Sequence, residues 1–350
     1  MKKYLVVIFC SVIFITSLIA CYPNYGHLNI QPRVVNLEEL NTEYDAFNST
    51  GPPTYLTDKD LIFSTNSLSQ GDNYSIKYSH INLQMEWDGS ELDGEPTNQH
   101  TFELEVNEPV SFLGDEVNSK ANEYGPYIMH PDNDRFRIDK DNPNDFEEEI
   151  IYFVASDRAK EELFNIYYYT KDDGLNQFAG NDETANDYYL TYHHDSNTIY
   201  FCSNRNGSYD IYAYHDESAD DIRELLEKEI EAEAVKELNS DYEDKTPYIF
   251  EDIMVFVSNR GGDNFDIYFS KFEGGKWSEP QNLPQKIDIK TDESFHYLNS
   301  NYNEYRPALF SGRLFFETDR NKTMIFSSDR PGGKGGYDLY LAVLPLDIFD

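Results

Sequence analysis

The sequence predicts an all-β fold, a five-bladed β-propeller with four-stranded blades. Two observations carry this prediction: one motif recurs five times along the chain, and the segments that contain it are short and rich in β-branched and aromatic residues. The shortest interval between copies, 47 residues from Ser156 to Ser203, is close to the length of a propeller blade, about 40–45 residues. The longer intervals predict insertions between strands.

The chain begins with a predicted export signal at residues 1–20. Two lysines precede an apolar stretch over residues 4–20, and Cys21 follows it directly. This arrangement resembles a bacterial lipoprotein signal peptide. The resemblance implies cleavage before Cys21, acylation of that cysteine and a lipidated tether over residues 21–32. The alternative is an uncleaved signal anchor, although the apolar stretch is shorter than the roughly 20 residues that span a bilayer.

Each copy of the recurring motif has the same three parts. An apolar strand ends in Ser-Asn-Arg or Ser-Asp-Arg, or in Thr-Asn-Ser in the first copy; a turn follows, Gly-rich or Asn-rich in most copies, and a second strand opens with Asp-Ile-Tyr or a variant of it. The copies occupy residues 61–77, 152–167, 199–212, 254–268 and 325–340, of which the first is the weakest. An acidic residue beside a tyrosine or a proline precedes most copies, and the glycines suit turns that need a positive φ.

In combination, these motifs resemble the WD40-like PD40 repeats of TolB-type propellers. They resemble more closely the repeats of exported propeller lipoproteins of the bacterial cell envelope. The resemblance extends over residues 33–345, and we assign residues 33–350 to the propeller domain. It implies a role in a cell-envelope assembly.

The two ends of the propeller domain predict how the ring closes. The chain stops soon after Asp338-Leu339-Tyr340, which leaves the last blade one strand short. Residues 33–37 resemble a fourth strand and are predicted to pair with that blade, which removes an open sheet edge. Residues 101–106 alternate in hydrophobicity like a strand, and we interpret them as an insertion or as the outer strand of blade 1. A degenerate sixth blade within residues 77–120 is a further alternative.

One segment breaks the β pattern. Residues 218 to about 238 carry apolar side chains at helical spacing, with Ser218 as the expected N-cap. The pattern predicts an amphipathic helix inserted before blade 4. Its apolar stripe either packs on the propeller itself, which we favour, or contacts a partner.

Recurring arginines end the second strands of the blades, and recurring acidic residues precede the first strands. The loops at these positions lie on one face of a propeller, so the two sets are expected to meet, and the planar guanidinium suits a carboxylate. The residues concerned are Arg158, Arg205, Arg260, Arg330, Glu123, Asp187, Asp244 and Glu304. We interpret them as structural pairs that lock loops and blades together. The alternative is a ring of ligand-binding groups around the central channel.

Composition excludes some functions. The chain has 65 Asp and Glu against 28 Lys and Arg, a net charge of −37, which argues against nucleic-acid binding. Only Cys202 remains once the signal and the lipid site are set aside, so no internal disulfide is expected and Cys202 is predicted to be a buried structural thiol. The sequence lacks the common motifs of hydrolases, zinc proteases and nucleotide-binding proteins.

We therefore predict no catalytic residue, no metal site and no cofactor, although acidic loops such as residues 132–134 leave calcium open. The predicted protein is a non-catalytic, lipid-anchored propeller of the outer membrane, on its periplasmic side or at the cell surface. It is expected to act as a binding or scaffolding module for envelope proteins. The alternative is a propeller that binds or processes glycans.

Overall fold

The computed structural model describes residues 33–51, 58–87, 91–92, 95–96, 100–132, 136, 138–145, 147–284, 298–310, 322–345 and 347–349. The strands form five larger antiparallel sheets and one small hairpin. The predicted signal peptide and tether, including Cys21, lie outside the described residues.

The first two blades follow each other in sequence. Blade 1 contains β2 (Ala46–Thr50), β3 (Asp58–Thr65), β4 (Ser75–Trp87) and β7 (His100–Val106), with β8 (Val110–Ser111) also paired with β4. The hairpin of β5 (Glu91–Leu92) and β6 (Glu95–Pro96) lies between β4 and β7 in sequence. Blade 2 contains β9 (Glu123–Met129), β10 (Ile151–Lys160), β11 (Leu163–Thr170) and β12 (Gly174–Gln177). A short helix, α1 (Gly114–Val117), precedes β9.

The remaining three blades have the same plan. Blade 3 contains β13 (Asp187–His193), β14 (Thr198–Ser203), β15 (Asp210–Tyr214) and β16 (Glu233–Ala234). Blade 4 contains β17 (Asp244–Phe250), β18 (Ile253–Ser258) and β19 (Asp266–Glu273), with β20 (Lys276–Trp277) and β21 (Gln281–Asn282) both paired with β19. Blade 5 contains β22 (Glu304–Phe310), β23 (Thr323–Ser328), β24 (Asp338–Val343) and β1 (Arg33–Asn36).

The first strands of the blades surround the axis. Each contacts the first strands of its two neighbours, in the closed order β2, β9, β13, β17, β22 and back to β2. The predicted all-β, five-bladed propeller is therefore confirmed. Buried aliphatic and aromatic side chains of all five blades form its main core.

The N-terminal strand closes the ring as predicted. Strand β1 pairs with β24 in antiparallel register, from Arg33 opposite Val343 to Asn36 opposite Tyr340. Leu37, which follows it, is fully buried. This pairing completes blade 5 and covers the edge that β24 would otherwise expose.

The long first interval contains no further blade within its described part. Residues 101–106 lie in β7, and Leu104 is opposite Leu83 of β4. They are therefore the outer strand of blade 1, one of the two predicted alternatives.

The predicted helix over residues 218–238 is much shorter than expected. The helix α2 (Ile222–Glu227) has Asp221 rather than Ser218 as its N-cap, and it lies within blade 3, between β15 and β16. Helical spacing continues in the sequence, but Ala234 pairs with Tyr212 and completes the sheet of blade 3. Sheet pairing thus overrides the local pattern. The apolar stripe packs on the propeller, because Ile222, Leu225 and Leu226 are buried in the main core.

Every first strand contains a bulge at the same place. The register against the second strand shifts there in all five blades. One residue of each bulge has a φ between +43° and +58°: Asn48, Gly125, Tyr189, Thr246 and Arg306. Bulges bend a strand and re-aim its side chains, so the five blades share one irregularity at the axis.

No helix in the described part of the chain is long and apolar enough to cross a membrane.

Candidate functional site

The structure brings together the arginine and the acid of each of the last four blades. The distance from the arginine Nη2 to the nearest carboxylate oxygen is 3.2 Å for Arg158 and Glu123, 2.9 Å for Arg205 and Asp187, and 2.8 Å for Arg330 and Glu304. Arg260 contacts Asp244 in the same way. All four carboxylates have no exposed surface, whereas the arginine side chains are 11–20 % exposed.

Each arginine also holds the loop that enters its blade. In blade 3, Arg205 Nε donates to Ser203 Oγ at 3.0 Å and Nη2 donates to the Gly180 carbonyl at 3.1 Å. The guanidinium lies over the ring of Tyr212, 5.0 Å from its centroid. The same three kinds of contact recur around Arg158, Arg260 and Arg330. These contacts explain why serine, arginine and the tyrosine of Asp-Ile-Tyr recur together.

Burial dominates the electrostatics of three of these acids. Loss of hydration raises the pKa of the Glu123, Asp187 and Glu304 carboxyls, although the facing arginine and several hydrogen bonds oppose that rise. Each carboxylate also accepts hydrogen bonds from the preceding loop. Asp182, for example, donates its backbone N–H to Asp187 at 2.7 Å.

Blade 1 lacks this pair. Ala46 is opposite Thr65 of β3, where the other blades place the acid opposite a serine. Ser67 stands two residues after Thr65, where the others have arginine. Because blade 1 lacks both the acid and the arginine, neither a buried carboxylate nor a guanidinium is left there without a counter-charge. Asp45 instead accepts a hydrogen bond from Tyr337 N at 2.9 Å, which ties blade 1 to blade 5.

A closed girdle of ten side chains lies on the same face as the arginine–acid pairs. Its inner members follow the acid position in each blade: Phe47, Tyr124, Tyr188, Lys245 and Tyr305. Its outer members immediately precede the residue of each third strand that pairs with the Ser or Thr: Tyr74, Phe164, Tyr209, Phe265 and Tyr337. Nine members are therefore aromatic, and Lys245 is the tenth.

Inner and outer members of the girdle alternate in contact around the axis. Ring centroids of successive aromatic members are 4.9–6.1 Å apart, for example 4.9 Å between Phe47 and Tyr74 and 6.1 Å between Tyr305 and Tyr337. The Lys245 ammonium fills the remaining position, 4.3 Å from the centroid of Tyr209 and 4.9 Å from that of Phe265. Such spacing is typical of favourable aromatic and cation–π contacts.

The girdle surrounds a pocket of about 300 Å³. Its lining consists of girdle members together with Tyr189 and Cys202: Phe47, Tyr124, Tyr188, Tyr189, Cys202, Tyr209, Lys245, Tyr305 and Tyr337. None of the eight predicted arginines and acids is in this lining. They lie beneath the loops that carry the girdle and hold those loops in place.

Cys202 is fully buried beside this pocket, as expected of a structural thiol. Its Sγ lies 3.8 Å from the Asp244 carbonyl. Burial, as the largest cause, raises the pKa of the thiol well above its usual range. Such a thiol stays protonated and is a poor nucleophile.

A buried arginine lies beneath the pocket. Arg306 of blade 5 is fully buried, and it donates to the carbonyls of Pro247 at 2.6 Å and Pro126 at 3.4 Å, in two other blades. Its guanidinium lies 5.3 Å from the ring of Tyr189 and 5.5 Å from that of Tyr248. No carboxylate pairs with it among the described residues, and its Nε has no hydrogen-bond partner there. Burial lowers the pKa of Arg306 to about 10, so it stays charged at neutral pH.

A second pocket, of about 420 Å³, opens on the opposite face. Tyr248 lines it, together with His130, His193 and His194. His130, Glu147 and Glu149 place possible metal-ligating atoms within 4.8 Å of one another. The Nδ1 of His130 accepts a hydrogen bond from Asp132 N at 3.2 Å, so a metal bound through Nδ1 would displace that hydrogen bond.

Sequence reasoning missed the girdle and Arg306. A signal for the girdle was present, because a tyrosine follows the acid in three of the four paired blades. Arg306 gave no such signal, because the equivalent residues of the other blades are Asn48, Gly125, Tyr189 and Thr246. These five residues share their place two residues after the acid position and the bulge, but not their residue type.

Comparisons with known proteins add little to the geometry. No family model matches the sequence, and no curated protein sequence matches it. Similar solved structures include a putative TolB from Agrobacterium tumefaciens, with 14% identity over 72% of this chain and 89% of that chain and a TM-score of 0.35. Another is a family 117 glycoside hydrolase of Zobellia galactanivorans, with 9% identity over 93% of this chain and 94% of that chain and a TM-score of 0.42. These scores are low, and the fold assignment rests on the sheet topology above.

Proposed function

We propose that this protein is a non-catalytic, lipid-anchored propeller that binds an envelope protein through the girdle. The observation that carries the proposal is the closed aromatic girdle around an open pocket. Tyrosine is enriched where proteins bind other proteins, because its ring gives a large contact area at a small cost in conformational entropy. The arginine–acid pairs beneath the loops supply the rigidity that such a surface needs.

The lining of the girdle pocket supports binding rather than glycoside hydrolysis at this pocket. A glycosidase of the usual kind places two carboxyl groups about 5–9.5 Å apart on either side of the scissile bond. The described lining of the girdle pocket contains no aspartate or glutamate. The acids that recur in the blades are buried against arginine instead.

Glycan binding without hydrolysis is a second candidate. Aromatic side chains offer flat apolar faces to sugar rings, and the girdle has nine of them. A carbohydrate array probed with the purified protein, and with the variant Tyr124→Ser, tests this candidate. Binding to a glycan that the variant loses would favour it over protein recognition.

Membrane attachment belongs to the same proposal. The lipoprotein-like signal before Cys21 supports an acylated N-terminus, and two or more acyl chains hold a protein stably on a membrane. We place the protein at the outer membrane. Cys21→Ala is expected to abolish partitioning into the detergent phase, and a variant that partitions like the wild type would contradict the anchor.

Site-specific photocrosslinking in intact cells tests the binding surface. A benzoyl-phenylalanine in place of Tyr188 preserves an aromatic ring in the girdle. The control carries the same crosslinker in place of Lys171, an exposed residue after β11 that lies outside the girdle. We expect one or two envelope proteins to be captured from position 188 and not from position 171. Equal capture from both positions, or none from position 188, would refute a role of the girdle in binding.

A further inference from the structure

One cationic side chain lines the described part of the girdle pocket. In the described lining of the pocket, Lys245 is the only Lys, Arg, Asp or Glu. Its side chain is 14% exposed and lies between two aromatic rings, which fix the position of the ammonium. A cation held in this way is available at the pocket without the entropy cost of ordering a free lysine.

The present partner of Lys245 is a weak one. Glu243 Oε2 lies 2.5 Å from Lys245 Nζ, but the Glu243 side chain is 39% exposed. An ion pair at such a position contributes little, because water solvates the Glu243 carboxylate well. A carboxylate of a ligand inside the pocket is less screened by water than Glu243, and it displaces Glu243 where its pairing with Lys245 outweighs the hydration that it loses.

The second positive charge lies on the other side of Tyr189, whose ring is part of the pocket lining. The Arg306 guanidinium is 5.3 Å from the centroid of that ring. It is fully buried and has only carbonyl oxygens as acceptors among the described residues, so its charge is not neutralised locally. A buried charge is screened much less than an exposed one, and its field reaches the pocket.

We propose that the girdle pocket selects a carboxylate carried on an aromatic or other flat apolar body. Lys245 would pair with the carboxylate, and the rings would contact the body. In terms of the proposed function, on which this inference rests, the ligand is a carboxylate of a protein partner, from an acidic side chain or a chain end beside an aromatic residue.

Three small probes with the same ring and different charge test the inference. They are indole-3-acetate, the neutral alcohol indole-3-ethanol and the cation tryptamine, titrated by calorimetry into the full-length protein in detergent. We expect indole-3-acetate to bind about tenfold or more tightly than the alcohol, and tryptamine to bind most weakly. Tryptamine binding as tightly as indole-3-acetate, or no binding of any probe, would overturn the inference.

Variants of the lysine locate the effect. Lys245→Met keeps the length of the side chain and removes the charge, so indole-3-acetate should then bind no better than the alcohol. Lys245→Arg should keep the preference. The matched control is Lys276→Met, which removes an exposed lysine from the same blade outside the pocket and should change nothing. An unchanged preference in Lys245→Met would refute the assignment.

The two proposals fail separately. Capture of a partner from position 188 without any carboxylate preference would leave the proposed function standing and remove this inference. A carboxylate preference that depends on Lys245, without capture of any protein, would refute the proposed protein partner and leave the carboxylate preference of the pocket standing.

Discussion

The Cβ atom that Gly125 lacks would lie 2.4 Å from a ring carbon of Tyr189, in the neighbouring blade. Gly125 also has a φ of +57°, which disfavours any side chain. Tyr189 lines the girdle pocket, and the Arg306 guanidinium lies beside its ring. The absence of a side chain at one residue thus positions the pocket wall.

Gly125→Ala is therefore expected to destabilise the protein in two ways. The left-handed φ costs about 1 kcal/mol, and the clash with Tyr189 adds about 1–3 kcal/mol more. Gly174→Ala is the matched control, because Gly174 has a φ of +68° and nothing within 4 Å of the added atom. Denaturant unfolding of both variants separates the two costs. Equal losses in the two variants would show that the contact with Tyr189 is unimportant.

Arg205→Met should destabilise the fold by about 3 kcal/mol or more. It leaves the fully buried Asp187 carboxylate without its counter-charge and the Gly180 carbonyl without its donor. The control is Arg223→Met, because Arg223 pairs with Asp221 at the same distance of 2.9 Å but both side chains are well exposed. That change should cost less than about 1 kcal/mol. If the Arg205 variant unfolded at the wild-type denaturant concentration, the pair would have no structural role.

The sequence predicted the parts of this protein that repeat in register. The arginines and acids recur at fixed places in the blades, so their meeting at one face followed from the propeller plan. Strand β1 was predictable because it resembles the fourth strands of other blades. The pairing of Ala234 with Tyr212, which shortens α2, was not predictable, because a short helix and a sheet edge compete there through tertiary contacts.

The site was harder to predict than the fold. The girdle combines two sequence positions from each blade, and their contact depends on the curvature of the ring. Arg306 shares its place in the repeat and the bulge with its counterparts but not its residue type, and its role comes from its side chain crossing the axis to Pro247 and Pro126. Contacts across the axis leave no periodic trace in a sequence.

Because β1 closes the ring, truncating the buried side chain that follows it is expected to lower the stability of the whole propeller. Leu37 is fully buried in the main core, and its N–H donates to the Leu339 carbonyl at 3.0 Å. Leu37→Ala is expected to cost about 2–5 kcal/mol, the range for a leucine truncated in a packed core. Leu68→Ala is the control, since Leu68 is 58% exposed and its removal should change stability by less than about 0.5 kcal/mol. Similar melting temperatures for both variants would contradict closure by this segment.

His194, at the pocket on the opposite face, predicts a pH dependence of stability. Burial lowers its pKa from 6.5 to about 4, and repulsion from His193 contributes in the same direction. The unfolded chain therefore binds a proton in a range of pH where the folded protein does not. Because the folded state binds fewer protons, the free energy of unfolding should fall as the pH is lowered from about 6.5 to about 4.

His194→Gln removes this contribution and keeps a polar side chain of similar length. The wild type should lose about 1–2 kcal/mol relative to the variant between pH 7 and pH 4, less than full burial would give because His194 is partly exposed. Above pH 7 the difference between the two proteins should be constant. Urea unfolding at several pH values measures it. Curves that stay parallel down to pH 4 would show that the imidazole of His194 accepts its proton as readily in the folded state as in the unfolded chain.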